Sequence, residues 1–298
     1  DRVCVSIQGL VSVDSRYYYA GISMSEILKN MTLRDILKFD AIFHKKRKFE
    51  KSGEFEKEYI KSVSHIIGRT SWDRSHIWAL NPQAIYHFCN ETLRPSFYKY
   101  NWEYDKCEKH SIFISQAGYP IKGLHKVLEA MPLILRHYPN TRIKIAGQSV
   151  IDQPFYRLTG YGKYIKSIIK RLNLQEKVEF LGVLSETEMC AEYLKANLFI
   201  CPSSIENSPN SLGEAQLIGV PYIASYVGGT PDLMSQSQYA LYRFEEVEML
   251  ALKVCEIFNN AKSVLQNDMP FERHSISNNA ATMYDIYLDV INSIKEEL

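Results

Sequence analysis

The second part of the chain alternates between apolar runs of strand length and amphipathic runs of helix length. From about residue 110 the apolar run 110–116 is followed by a helical pattern over 123–138, and this alternation continues to about residue 261. Strands separated by helices of ten or more residues form parallel sheets, because parallel strands need crossover connections. The pattern therefore predicts an α/β, doubly wound, Rossmann-like domain.

The first hundred residues follow a less even pattern. Alternating apolar residues in 3–7 predict a strand, and a long helical and basic stretch fills 23–63. The run 65–70 predicts a second strand, and 71–80 predicts the helix after it. The aromatic and polar segment 86–106 has few periodic apolar positions, so we expect it to bridge two domains.

A chain of 298 residues is long enough for two domains, since single cores stop growing at about 250 residues. We predict a first domain over 1–105, a second over 106–272, and a final amphipathic helix over 273–298 that packs back toward the first domain. The opening residues read as a strand already in progress, without an initiator methionine. We therefore expect the first domain to be truncated.

The composition argues against some classes of function but does not identify the function of the protein. The net charge of +1 gives no global argument for binding nucleic acid. The six cysteines lack CxxC pairs, and several lie in apolar runs, which is typical of reduced thiols and favours the cytoplasm. No apolar run approaches the roughly 18 residues of a membrane span. A peripheral or freely dissolved protein is expected.

The stretch SSIENSPNSLGEAQLIGVPYIASYVGG holds the most informative chemistry in the chain. It places Glu206 before a predicted helix that starts near Ser211, and Glu214 inside that helix. In open α/β sheets, ligands bind at the carboxyl ends of strands, and helix N-termini attract phosphate. Ser211 and Glu214 also match the S-x-x-E capping box, which is a purely structural alternative. Capping does not account for Glu206 or for the glycine pair at 228–229.

The same stretch resembles the donor-site signature of retaining glycosyltransferases of the GT-B fold, family 4. The two glutamates separated by seven residues, the alanine at 215, the Gly-x-Pro at 219–221 and the later Gly-Gly occur in the order that the family shows. The resemblance extends over about 110–260. It implies two Rossmann-like domains that face a cleft, and an enzyme that transfers a sugar from a nucleotide diphosphate.

The resemblance also implies roles for individual residues. Glu206 is expected to face the reacting carbon of the donor sugar, and Lys122 to meet the diphosphate, which makes these two the candidate catalytic residues. Glu214 is expected to bind the ribose hydroxyls. The full set of expected donor-binding residues is Glu214, Asn210, Ser211, Leu212, Gly118 and Gly147.

Two positions depart from the family pattern. Many relatives carry an arginine where this chain has Ala117, and a histidine where it has Gln8, which cannot act as an acid or base. The first domain resembles enzymes of bacterial capsule and surface polysaccharide assembly. The acceptor-side candidates are Gln8, Gly9, Arg69, Trp72, Asp73 and Glu91. An Arg–Asp pair at a helix start with a buried tryptophan explains several of them equally well.

The resemblance implies a retaining, metal-independent glycosyltransferase of the hexosyltransferase type. It implies a nucleotide sugar as donor, a glycan or lipid-linked acceptor and no cofactor, and the sequence has neither a D-x-D motif nor paired histidines to suggest a metal. The basic run 44–51 could touch an anionic membrane, although a solvated helix face explains it as well. Two alternatives stay open: a nucleotide-sugar epimerase of the same fold, and a degenerate module that binds nucleotide sugars without catalysis.

Overall fold

The computed structural model describes residues 3–234, 240–260 and 272–296. Two parallel sheets organise these residues, one of three strands and one of six. The predicted boundary at 272 adjoins the undescribed residues 261–271, and the predicted end at 298 lies outside the described part. Among the described residues, no helix is long and apolar enough to cross a membrane.

The first sheet has the strand order β1-β2-β3, with all neighbours parallel. Its strands are short, and β3, which falls partly within the segment predicted to bridge the domains, was missed from the sequence. The strands are β1 (Cys4–Ser6), β2 (His65–Gly68) and β3 (Ile85–Phe88).

Helices cover the chain between these strands. The stretch predicted as helical over 23–63 forms three helices. The first break lies at Thr32, which starts the second helix with a capping box. The helices of this region are α1 (Val11–Asp14), α2 (Met24–Asn30), α3 (Leu33–Leu37), α4 (Ile42–Ser62) and α5 (Ser71–Leu80).

The second sheet has the strand order β6-β5-β4-β7-β8-β9, and every neighbouring pair is parallel. Counted within the domain, this order is 3-2-1-4-5-6, the Rossmann arrangement. The two-residue strand β9 was not predicted. The strands are β4 (Glu108–Ile114), β5 (Arg142–Ile145), β6 (Val178–Phe180), β7 (Ala196–Cys201), β8 (Tyr222–Ser225) and β9 (Leu241–Tyr242).

Helices pack on both faces of this sheet, as the sequence pattern predicted. Ile112 of β4 belongs to the core under α6, α7 and α10, and the next residue, Phe113, belongs to the core under α8 and α9. Adjacent strand residues point to opposite faces, so both faces are apolar and buried. The helices are α6 (Leu124–His137), α7 (Gly160–Arg171), α8 (Glu186–Lys195), α9 (Asn210–Ile218) and α10 (Val247–Asn260).

Two segments connect the sheets. Residues 89–107 run along the second domain, where Phe97 and Trp102 join its core. The indole of Trp102 donates to the carbonyl of Ala196 at 2.6 Å. The final helix, α11 (Ile276–Glu296), returns to the first domain, where Ile286 and Val290 pack with residues of β2 and the chain after β3.

Candidate active site

The centre of the six-stranded sheet carries the two loops that the sequence singled out. β4 and β7 are neighbours, and the chain leaves β4 for α6 on one face and β7 for α9 on the other. A crevice opens where two such connections diverge, which is the usual ligand site of a doubly wound sheet. Lys122 ends the short 3-10 helix after β4, and Glu206 lies in the loop after β7.

Lys122 and Glu206 form an ion pair across this crevice. Lys122 Nζ donates to Glu206 Oε1 at 2.6 Å, and Ser203 Oγ donates to the same oxygen at 2.7 Å. Within the described residues, Glu206 Oε2 accepts no hydrogen bond. Burial alone would lower the pKa of Lys122, but attraction to Glu206 and Tyr119 outweighs burial and raises the pKa above its usual 10.5. Lys122 therefore stays charged, and one carboxylate oxygen stays open.

Two glycines allow the loops around this pair to approach closely. Gly123 has φ +70°, and a methyl group there would lie 1.7 Å from the carbonyl oxygen of Pro202. Gly228 has φ +51°, and a methyl group there would lie 1.9 Å from the carbonyl oxygen of Glu206. Only glycine fits such contacts, because other residues disfavour positive φ and carry a Cβ. The glycine pair at 228–229 thus supports the loop that carries Glu206.

Glu214 is held by a different cation. Arg94 Nε donates to Glu214 Oε1 at 2.6 Å, and Arg94 Nη2 donates to Oε2 at 2.8 Å. This contact corrects the capping-box alternative, because α9 begins at Asn210 after Pro209, which has no side-chain acceptor. Burial raises the pKa of Glu214, and Arg94 opposes that effect. Both oxygens of the carboxylate are occupied.

The start of α9 offers fewer free amides than the sequence predicted. The amides of Asn210 and Ser211 belong to the first turn, where backbone N–H groups have no acceptor within the helix. The amide of Leu212 donates to the carbonyl of Pro209 at 3.0 Å, and the side chain of Leu212 is buried in the core. The predicted contribution of the Leu212 amide to phosphate binding is corrected accordingly.

These groups share one cavity of about 830 Å³ between the domains. Arg94 also lines it, and this residue was not among the sequence-based candidates. A second cavity of about 490 Å³ is lined by Gly118 together with Gly147. The predicted residues that line the larger cavity are Gln8, Arg69, Lys122, Gly147, Glu206, Asn210, Ser211 and Glu214.

Asn207, the neighbour of Glu206, ties the donor loop to the first domain. Asn207 Nδ2 donates to Asp73 Oδ2 at 2.8 Å, and Thr70 Oγ1 donates to Asn207 Oδ1 at 2.6 Å. Asp73 is 0% exposed, completes the capping box of α5 and also accepts from the hydroxyl of Tyr86. This burial leaves Asp73 no surface for an acceptor, which corrects the prediction made from the sequence.

The other acceptor-side candidates are spread over two places. Gln8 is exposed at the larger cavity, and the buried guanidinium of Arg69 pairs with Glu91 beside it. Trp72 is half-buried and lines a separate cavity of about 400 Å³ between the domains. Gly9 is half-buried and does not line either cavity. The expected Arg–Asp side-chain pair is absent from the described bonds, since Arg69 uses its backbone amide toward Asp73.

Asp14 is a titratable group near the ion pair that sequence reasoning missed. Burial, followed by repulsion from Glu206 and Glu56, raises its pKa to about 7, although Lys122 acts in the opposite direction. A methyl group at Gly9 would lie 3.8 Å from its Oδ2. Asp14 is the only charged residue in 3–15, and this isolation in an apolar stretch could have marked it.

The described residues contain no group of three or more His, Cys, Asp or Glu side chains that could hold a metal ion. In the part of the chain that the structure describes, three cations line the larger cavity, and each is paired with a carboxylate: Lys122, Arg94 and Arg69. A helix N-terminus and these cations are the groups available to an anionic ligand. Metal independence stays a prediction.

Comparisons with curated proteins find distant relatives. An uncharacterized glycosyltransferase of Methanocaldococcus jannaschii is 23% identical over 60% of this chain and 41% of its own length. A GDP-mannose-dependent monoacylated alpha-(1-6)-phosphatidylinositol monomannoside mannosyltransferase of Corynebacterium glutamicum is 26% identical over 47% of this chain and 36% of its own length. The chain therefore spans less than half the length of these relatives.

Solved structures of GT-B glycosyltransferases share the fold. Sucrose-phosphate synthase of Thermosynechococcus elongatus superposes over 97% of this chain and 68% of its own, with a TM-score of 0.70 and 15% identity. HepE of Anabaena, solved in complex with UDP, covers 78% of this chain and 64% of its own, with a TM-score of 0.58 and 16% identity. The predicted GT-B fold is confirmed.

The family comparison covers the site residues of the second sheet and its loops, but neither the first domain nor Arg94. The sequence profile of the family described as glycosyl transferases group 1 matches residues 100–281. That range contains Lys122, Glu206 and Glu214, and it represents more than half of the chain. The chain belongs to the glycosyl transferases group 1 family.

Proposed function

We propose that the protein to which this chain belongs is a retaining glycosyltransferase. It moves a sugar from a nucleotide diphosphate to a glycan or lipid-linked acceptor in surface polysaccharide assembly. The Lys122–Glu206 pair carries the proposal, because it stands at the switch point of the sheet with one carboxylate oxygen open. The corynebacterial relative is named for GDP-mannose and HepE was solved with UDP, which supports a nucleotide-sugar donor.

The site residues suit the charge changes of sugar transfer. Breaking the bond between sugar and diphosphate places negative charge on the departing phosphate and positive charge on the sugar ring. Lys122 and the first amides of α9 stabilise the departing phosphate, in the role that a metal ion has in other transferases. Glu206 Oε2 binds a hydroxyl of the donor sugar and stabilises the positive ring. Lys122 holds this carboxylate in place until the donor arrives.

The acceptor side and the location of the protein complete the proposal. Gln8 and Arg69 line the donor cavity from the first domain, so an acceptor enters from that side. Arg47, Lys48 and Lys51 are exposed on α4, and they make peripheral contact with an anionic membrane at its cytoplasmic face. Binding to phosphatidylglycerol vesicles that disappears after neutral substitution of all three residues, while phosphatidylcholine vesicles never bind, tests that contact.

A thermal-shift screen of UDP- and GDP-sugars on the full chain tests the donor site. A ligand at one hundred times its dissociation constant should raise the unfolding free energy by about 2.7 kcal/mol. The same screen with Glu214→Ala should show a weaker response. The proposal fails if no nucleotide sugar shifts the melting temperature, or if the variant responds like the wild type.

The two alternatives, an epimerase and a binding module without catalysis, would give different products from those of a transferase. A nucleotide-sugar epimerase would convert the free donor to its epimer without an acceptor, which chromatography of the nucleotide pool detects. A degenerate binding module would bind the donor but release no nucleoside diphosphate with any acceptor. Transfer with the anomeric configuration kept, measured by NMR of the product, supports the proposed retaining enzyme and excludes both.

A further inference from the structure

Arg94 contacts both oxygens of the carboxylate that is expected to bind ribose. The two nitrogens of Arg94 contact the two oxygens of Glu214, and the side chain of Glu214 is only 5% exposed. The guanidinium fork covers the edge of the carboxylate that two neighbouring ribose hydroxyls would contact. A ribose bound through both hydroxyls to both oxygens therefore competes with Arg94 for that edge.

The backbone around Arg94 is fixed, whereas its charged end is accessible. The amide of Leu93 donates to the hydroxyl of Tyr98 at 3.0 Å, and the amide of Ser96 donates to Glu186 at 2.8 Å. The guanidinium lies 4.8 Å from the ring centre of Phe97, and the Arg94 side chain is 38% exposed. Rotation of the side chain can therefore move the guanidinium within the cavity without moving the segment.

The charges that line the cavity restrict where the displaced guanidinium can go. Lys122 is paired with Glu206, and Arg69 is paired with Glu91, so each of these carboxylates already has a counter-ion. The incoming ligand itself brings an acceptor, because a diphosphate offers oxygens that match the guanidinium fork. Exchange of a carboxylate for a phosphate keeps the half-buried arginine paired.

Resting on the function proposed above, we propose that Arg94 is a binding residue for the diphosphate of the donor. Arg94 pairs with Glu214 until the donor binds, and donor binding exchanges the two partners. Ribose hydroxyls take the carboxylate, and the diphosphate takes the guanidinium. The exchange makes recognition of the two parts of the nucleotide interdependent. A nucleoside alone must displace Arg94 without offering it a new partner, so a nucleoside diphosphate binds preferentially.

The test compares dissociation constants for UDP and GDP with those for uridine and guanosine, measured by calorimetry on the full chain. In Arg94→Met, the preference for diphosphate over nucleoside should fall by about tenfold to a hundredfold, the range expected for a hydrogen bond to a charged group. Arg94→Lys, which keeps the charge without the fork, should lose part of the preference. The control Lys99→Met removes an exposed charge from the same segment outside the cavity and should leave the preference unchanged.

A double-mutant cycle separates exchange from a merely structural ion pair. With Arg94→Met and Glu214→Gln, the coupling measured by melting temperature should be present in the free protein and absent with saturating UDP or GDP. An unchanged preference in both Arg94 variants, or coupling that persists with bound nucleotide, overturns the inference. Wild-type chain that binds neither UDP nor GDP overturns the proposed function itself, which distinguishes the two failures.

Discussion

The two glutamates of the donor motif lie in one cavity but in opposite states. Glu206 uses one oxygen for both Lys122 and Ser203, and its other oxygen has no hydrogen-bond donor among the described residues. Glu214 has both oxygens bound by the fork of Arg94. The first carboxylate has one oxygen open to the cavity, whereas the edge of the second carboxylate is covered by Arg94.

This difference follows from the partners that the fold supplies. Lys122 is a point charge at the end of a short 3-10 helix, and it contacts Glu206 from one side. Arg94 is a planar fork on an anchored segment, and its geometry satisfies a whole carboxylate. Identical side chains eight residues apart are thus prepared for different tasks by residues that lie 84 and 120 positions away in sequence.

Removal of the cation at Glu206 should have the largest effect. Lys122→Met deletes the charge expected to stabilise the departing diphosphate and leaves a carboxylate without its counter-ion. We expect the rate of sugar transfer to fall by about a thousandfold, or about 4 kcal/mol in activation free energy. Release of nucleoside diphosphate measures this rate. Lys126→Met removes a neighbouring lysine that pairs with Glu129 instead, and should change the rate little. Equal losses in both variants would contradict the assignment.

Neutral substitution of each glutamate should separate their tasks. In Glu206→Gln, the turnover number should fall about a hundredfold while nucleotide binding is kept, because the carboxylate acts on the sugar during transfer. In Glu214→Gln, the dissociation constant for the nucleotide should rise about tenfold while turnover at saturation changes less. Steady-state kinetics and calorimetry provide both numbers. The two glutamates do not have separate tasks if both variants change the turnover number and the dissociation constant alike.

The titration of Asp14, whose pKa is affected by Glu206, should make the stability of the protein depend on pH. Its pKa is raised from 3.8 to about 7, so the native state keeps a proton that the unfolded state releases across this window. Stability should therefore fall as pH rises from about 4 to 7, with a slope of up to about 1.4 kcal/mol per pH unit from this group. Urea unfolding of Asp14→Asn should lack this slope. Glu58→Gln, an exposed change on α4, should retain it. A slope shared by all three proteins would refute the role of Asp14.

The sequence predicted the sheet better than it predicted the contacts within the site. Alternation of apolar and amphipathic runs identified the second domain, because long crossovers require parallel strands. β3 and β9 were missed for physical reasons. Ile85 and Phe88 of β3 are about half exposed, and β9 has only two residues, so neither produces an apolar run. The periodicity of apolar residues indicates which positions are buried. A short or exposed strand has few buried positions, so it produces no clear pattern.

The capping-box alternative at Glu214 failed for a different reason. The capping box is a local pattern, but Pro209 starts the helix one residue earlier than expected and provides no side-chain cap. The partner that Glu214 finds instead, Arg94, comes from the bridging segment 120 residues away. Asp73 shows the converse, since it forms a local capping box with Thr70 and its contact with Asn207 comes from the other domain. Contacts between domains decide these roles, and one sequence does not contain them explicitly.

The smallest expected effect concerns the second donor to Glu206. Ser203→Ala removes one hydrogen bond of 2.7 Å to Oε1 and leaves Lys122 in place. A bond of this kind contributes about 1 kcal/mol, so transfer should slow by about fivefold with little change in the donor KM. Ser204→Ala is the matched control, because that hydroxyl donates to the carbonyl of Tyr17. A rate lost only in the Ser203 variant shows that Glu206 must be oriented as well as charged. Equal rates in both variants would show that the lysine alone is sufficient, and that the open oxygen of Glu206 needs no second support.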